Sequence, residues 1–226
     1  MTEKGERMKL NRFKFAIIFI LIQIALALYF GLPLADDAQV PSHWNLQGEV
    51  DGWTGKYQAI IMFPLINIVL FFLMVFFPTI SPRYRNNQER FDKILPSLLN
   101  LLVFFFSAIH IYTLLIARNY VPAGNLFVFI LLGLLFFLVG NLLPKVPSNF
   151  YVGVRIPWTL SSDVVWRKTS RFTGKCFSIG GVIFIIVGMI GKITVIVKTL
   201  LVLVLILIIV LPILYSFIIY KKEQQS

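Results

Sequence analysis

Residues 199–220 read TLLVLVLILIIVLPILYSFIIY, a run without a charged side chain that ends on Lys221 and Lys222. A helix that crosses a bilayer core needs about 20 consecutive, mostly apolar residues, and this stretch supplies them. Comparable runs precede it at Phe15–Leu34, Ala59–Phe77, Ile94–Ala117, Leu126–Leu143 and Phe177 to about Val197. The first is too long and too continuous for a signal-peptide core and reads as an uncleaved span. The fifth is interrupted by Lys192, and its Gly180, Gly181, Gly188 and Gly191 suit close helix packing. Of the 226 residues, 58% are hydrophobic and 14% charged, against about 25% charged in globular domains. That leaves too little polar surface to wrap a soluble core, which excludes an ordinary cytosolic enzyme. The sequence predicts an all-α integral membrane protein with about six transmembrane helices.

Loop charge orients the spans. With six, the N-terminus, the 81–93 loop, the 144–175 loop and the C-terminus share one side and hold 17 of the 21 Lys and Arg. Lys4, Arg7, Lys9, Arg83 and Arg85 are among them, whereas the other side has only Lys56, Arg118, Lys192 and Lys198. Basic loops stay inside, so both termini are expected in the cytoplasm of a cell-membrane protein. An odd count would send the last basic cluster outside. The net charge of +11 is accounted for by orientation, and no nucleic acid is expected as a partner.

Chemistry-bearing patterns are sparse. The single cysteine, Cys176, excludes a disulfide framework. A zinc site from His43, Glu49 and Asp51 lacks a third strong ligand at a workable spacing, so neither metal nor cofactor is expected. No Gly-x-Ser-x-Gly, His-Glu-x-x-His or phosphate-cradling glycine loop occurs, and no catalytic residue is assigned. No Asp or Glu lies within a span. His110 reads as an interhelical hydrogen-bonding group, and Asn67, Asn100 and Asn141 as helix–helix glue. Lys192 is expected to snorkel to the outer surface, and Asp163 and Arg167 to form an i,i+4 pair.

Function must then sit in two loops. The outer one, residues 35–57, is contained in LADDAQVPSHWNLQGEVDGWTGKYQ, with turn signals at Pro41-Ser42, Asp51-Gly52 and Thr54-Gly55. Trp53 and Tyr57 fit a headgroup belt. The remaining polar and turn residues exceed what a connector needs. The inner loop, PKVPSNFYVGVRIPWTLSSDVVWRKTSRFTGK, begins with Pro144, Pro147 and Pro157, which favour extended backbone. Ser161 or Ser162 can cap a short helix running to Gly174. On its wheel Val165, Trp166, Thr169 and Phe172 oppose Arg167, Lys168, Arg171 and Lys175, the pattern of a basic amphipathic helix lying in the inner interface. Such anchoring does not explain the crowding of Asn149, Gly153, Arg155, Pro157, Trp158 and Thr159 just before it.

Those inner-loop residues, with Trp166, Arg171 and Gly174 after them, resemble the signature of the SdpI family of bacterial membrane proteins. That family is named for immunity to a secreted killing peptide. The outer loop, through Pro41, His43, Trp44, Asn45, Gly48, Asp51, Gly52 and Lys56, resembles a domain of unknown function often found N-terminal to that signature. The resemblance implies residues 1–80 as an N-terminal helical hairpin carrying the outer loop, 81–123 as the third span with its flanks, and 124–226 as an SdpI-like region. It further implies a protein that binds or neutralises a membrane-active peptide toxin and signals, with both loops as binding sites. Expected partners are the lipid bilayer, a secreted peptide steered by Asp36, Asp37, Glu49 and Asp51, and a cytosolic regulator at the inner face. Two alternatives remain open. One is a small transporter or channel with His110 and the glycine-rich fifth span lining a path. The other is a membrane enzyme on phosphate-bearing lipids gripped by Arg155.

Overall fold

The computed structural model describes residues 10–46, 48–76, 87–123 and 126–225. Lys4, Arg7, Lys9, Arg83 and Arg85 of the basic set lie outside them. After a short 3-10 turn at Leu10–Phe13, helix α1 spans Lys14–Gly31. Strands β1 (Gln39–Trp44) and β2 (Val50–Gly55) pair antiparallel, and α2 (Lys56–Phe76) follows directly. Then come α3 (Gln88–Ala117), α4 (Leu126–Leu142), the five-residue α5 (Pro157–Ser161), α6 (Asp163–Ile190) and α7 (Val195–Gln224). Among the described residues six helices are long and apolar enough to cross a membrane: α1, α2, α3, α4, α6 and α7. The multi-pass all-α architecture read from the sequence is therefore present.

The helices form two groups of three. Around α1, α2 and α3, one apolar cluster (Phe13, Ala16, Val75, Phe91, Leu99) fills the end near the N-terminus, and another (Ala27, Val40, Ala59, Ile60, Leu114) lies beneath the strands. Phe129, Phe184, Val187, Leu201, Val204 and Ile208 hold α4, α6 and α7 together. The closest packing is between α4 and α6. A Cβ placed on Gly133 would sit 2.5 Å from the Gly181 carbonyl oxygen, and one on Gly174 would sit 2.5 Å from that of Gly140. Small residues let two backbones meet where lipid offers no hydrophobic drive to association. Pro64, Pro96 and Pro212 lie inside α2, α3 and α7, as membrane helices tolerate.

The structure corrects the sequence reading in three places. First, no separate interfacial helix exists in 144–175, because the stretch after Ser162 is the N-terminal part of α6. Val165, Trp166, Thr169, Ser170, Thr173 and Gly174 are buried. The arc assigned to lipid faces the bundle, and nothing between Phe172 and Phe177 breaks the helix. Second, the fifth span ends earlier than expected. Gly191 takes a left-handed conformation (φ 75°) as the C-terminal cap of α6, so Lys192 lies in the connection to α7, outside the span. Third, the outer loop is a β-hairpin. Its expected turn dipeptides fall within strands, and the chain reverses instead at Asn45–Glu49, where the Glu49 carbonyl accepts from Asn45 N at 2.9 Å. Val, Trp and Thr favour strand backbone, and Pro41 is tolerated because a two-stranded ribbon is all edge.

Candidate functional sites at the two ends of the bundle

At the hairpin end the first residue of α2 is a staple. Lys56, only 6% exposed, donates from Nζ to the Leu34 carbonyl at 2.7 Å and to Asp36 Oδ1 at 3.0 Å. The Tyr57 hydroxyl donates to the same carboxylate oxygen at 2.9 Å. These contacts tie the chain leaving α1 to the start of α2. The Lys56 hydrogen bond, then that of Tyr57, holds the Asp36 carboxyl below its ordinary value. In the hairpin itself, Asn45 Oδ1 accepts from Glu49 N at 3.0 Å and Gly48 adopts φ 77°. Trp44 stacks on Tyr112 of α3 with centroids 6.2 Å apart. Gly52 lies so close to β1 that a Cβ there would be 2.8 Å from the His43 Cβ. His43 Nδ1 donates to Asp51 Oδ1 at 2.5 Å, and both side chains are exposed.

The predicted outer-loop set thus divides. Trp44, Asn45, Gly48, Gly52 and Lys56 build the hairpin and its anchor, whereas His43 and Asp51 are presented to the surroundings. Asp36 and Asp51 already have partners, and the four acidic residues of this end are matched in number by Lys56, Arg118, Lys192 and Lys198.

At the opposite end, residues 143–162 form a clamp. Leu143–Lys145 is a single 3-10 turn, so Pro144 is not extended. Asn149 is fully buried and uses its whole amide: Nδ2 donates to the carbonyls of Pro147 (2.8 Å) and Val152 (3.0 Å), and Oδ1 accepts from Tyr151 N and Val152 N. The Trp166 indole donates to the Val146 carbonyl at 3.0 Å. Gly153 lies against that ring with φ 118°, where a Cβ would be strained and 3.0 Å from Trp166 Cη2. Pro157 opens α5 at the position proline favours. Thr159 Oγ1 accepts from Ile156 N and donates to the Val154 carbonyl. Trp158 reaches α7, donating to Ser216 Oγ at 2.9 Å beside the rings of Phe217 and Tyr220. Ser162, the N-cap of α6, donates to Glu223 at 2.8 Å. Arg155 stands apart: it is exposed, and Nη1 donates to the Phe150 carbonyl at 2.5 Å. Arg171 is exposed on α6, outside the clamp's bonds.

Between the two ends, at membrane depth, Asn67 Nδ2 donates to Gln23 Oε1 at 2.8 Å, to Ser107 Oγ at 3.2 Å and to the Val103 carbonyl. The Gln23 amide nitrogen donates to His110 Nδ1 at 3.3 Å, and the imidazole stacks on Phe63. His110 and Asn67 are therefore interhelical connectors, as read. Asn141 is not, because it bonds the Phe137 carbonyl of its own helix. Asn100 Oδ1 is buried with no hydrogen bond among the described residues. Gln23 was missed as a connector, although it is the one strongly polar side chain in its apolar run.

Six apolar helices, the first three of them joined at mid-depth by side-chain amides, with a hairpin over one end and a tryptophan-locked clamp at the other, define a multi-pass membrane protein whose distinctive chemistry lies in its loops. Residues 145–216 match the SdpI/YfhL protein family, and residues 16–68 match a domain of unknown function, DUF1648. The SdpI/YfhL match runs from the clamp through α6 into α7. It is 26% identical over 216 residues to the immunity protein SdpI of Bacillus subtilis (strain 168), covering 95% of this chain and 98% of that one. No solved structure matches the chain.

Proposed function

We propose that this protein is a membrane immunity protein that protects its cell against a membrane-active secreted peptide. The observation that carries the reading is the end-to-end likeness to an immunity protein, with both loop regions matched. In this reading both termini and the clamp lie in the cytoplasm, in keeping with the concentration of Lys and Arg on their side. The hairpin then faces outward, where a secreted peptide arrives. Because acidic and basic residues balance there, recognition falls on the His43–Asp51 pair and on exposed rings. Trp53 is 53% exposed and Tyr57 57%, and such amphipathic rings suit a surface half in water and half in lipid. On the inner side, the part of the Arg155 guanidinium not engaged with Phe150 is available to a cytosolic regulator.

The transporter alternative loses its two supports. Of the fifth-span glycines, Gly181 meets α4 backbone and Gly180 meets Ile208 and Val204 of α7, and His110 is tied to Gln23. The test is expression in a toxin-sensitive bacterium, with survival scored against candidate membrane-active peptides. Wild type should protect, and Arg155→Lys and Trp53→Ala should reduce protection at unchanged abundance. Failure to protect against any peptide that kills the host would remove the reading.

A further inference from the structure

Beside the clamp, where α3 and α6 begin, a cleft of about 90 Å³ is lined by Arg90, Arg167 and Arg171. Arg90 is in the first turn of α3, and Arg167 and Arg171 stand one turn apart near the start of α6. Among the described residues none of the three guanidiniums has a hydrogen-bonding or ion-pair partner. Even Asp163, on the same helical face as Arg167 and also lining the cleft, makes no ion pair with it within 4.0 Å. The expected i,i+4 pair is absent. The floor is rigid: Val146, Pro147 and Ser148 are buried, and the Trp166 indole pins the Val146 carbonyl. Asn87 and Asp163 bring two helix N-termini to the rim, and both contribute positive potential.

The geometry points to a binding site for a phosphate-bearing anion in this cleft. Three guanidiniums around one space repel each other until an anion joins them. A tetrahedral phosphate offers enough oxygens for several forks, which bind it bidentately; a carboxylate has only two. The cleft has room for several waters and hence for a phosphate group. With Asp163 counted, the formal charge of the lining is that of two cations. A phosphomonoester, near −2 at neutral pH, matches it better than a singly charged diester. The same chemistry is supplied by a lipid headgroup such as phosphatidic acid and by free phosphate, and the ends of apolar α3 and α6 put the cleft where headgroups lie.

The test uses the purified full chain in detergent with two probes, inorganic phosphate and phosphatidic acid, and with phosphatidylglycerol as the diester comparison. Each of Arg90→Gln, Arg167→Gln and Arg171→Gln should weaken binding about tenfold, the loss of one charge-assisted hydrogen bond. Arg167→Lys should also weaken it, because an ammonium cannot fork. The double variant Lys221→Gln, Lys222→Gln, at the same end of the bundle, should bind like wild type. Thermal unfolding of each variant without ligand keeps a folding defect distinct from lost binding. Saturable, arginine-dependent binding of phosphatidic acid alone identifies the source as a headgroup, and equal behaviour of inorganic phosphate identifies it as soluble phosphate. The site is overturned if neither probe binds, if Arg167→Lys binds as wild type does, or if removing Lys221 and Lys222 costs as much as removing the arginines.

Discussion

Replacing Gly181 with alanine tests whether backbone contact between α4 and α6 holds the C-terminal half together. The added Cβ would be 2.5 Å from both the Gly133 carbonyl oxygen and Phe137 N. Both are backbone atoms, so no rotamer change relieves the clash. Ordinary contact begins near 3.4 Å, so the two helices must part by about 0.9 Å, and a gap of that size forfeits a quarter to a half of each dispersion contact it opens. Overpacking of this kind costs about 1–3 kcal/mol, set against about 1 kcal/mol gained from the better helix former. The neighbour Gly180 is an internal control with the same propensity gain. A Cβ there meets side-chain methyls, Ile208 Cγ2 (3.0 Å) and Val204 Cγ1 (3.3 Å), rather than backbone, and these need give by only a few tenths of an ångström. Gly180→Ala should therefore be neutral or slightly stabilising, and Gly181→Ala should be less stable than it by about 1–3 kcal/mol. Unfolding of the two variants in the same micelles, by heat or denaturing detergent, measures the difference directly. Equal stability, or a more stable Gly181→Ala, would refute the idea that backbone contact limits this seam.

Orientation can be read by thiol labelling in a Cys176→Ser background: an impermeant reagent on intact cells should modify Glu49→Cys and spare Ser161→Cys, and the reverse pattern would invert the proposed topology. The Asp36–Lys56 contact has a defined pH window. A lowered folded-state pKa means its contribution is fully present above the ordinary value of 3.8 and is lost as pH falls through the lowered value. In Lys56→Met the Asp36 carboxyl should titrate closer to 3.8, followed by NMR of that carboxyl; no change would show that Lys56 is not the cause. Trp166→Phe keeps a ring against Gly153 but leaves the buried Val146 carbonyl without its donor, a loss of about 1–3 kcal/mol, and a thermal midpoint equal to wild type would sink that account of the clamp.

What the sequence made legible followed from physical terms that act locally. Apolar run length sufficed for six spans, and the resemblance of the two loops to known families was later matched over 145–216 and 16–68. Errors arose where tertiary contacts chose between equal local patterns. The arc of Val165, Trp166 and Thr169 looks the same whether it faces lipid or a neighbouring helix, and the Trp166–Val146 bond together with Gly140 and Pro144 packing against Gly174 decides for the bundle. Turn dipeptides in the outer loop were overridden because Val40 of β1 packs in one cluster with Leu114 and Ala59, and β2 pairs with β1. The arginine cleft was illegible for a different reason: Arg90 is 77 positions from Arg167, and no periodicity links them.

Helix α6 joins the clamp to the glycine seam without an internal proline. Trp166, which locks the clamp, and Gly181, which meets α4, are parts of one rigid rod, and their angular relation is set by the number of residues between them. Inserting or deleting a single residue between Gly174 and Gly180 would turn one half against the other by about 100°, so that either the tryptophan or the glycine seam would face the wrong way. Length variation among related chains should therefore be excluded from this interval and collect in the Gly191–Thr194 connection, where no phase has to be kept.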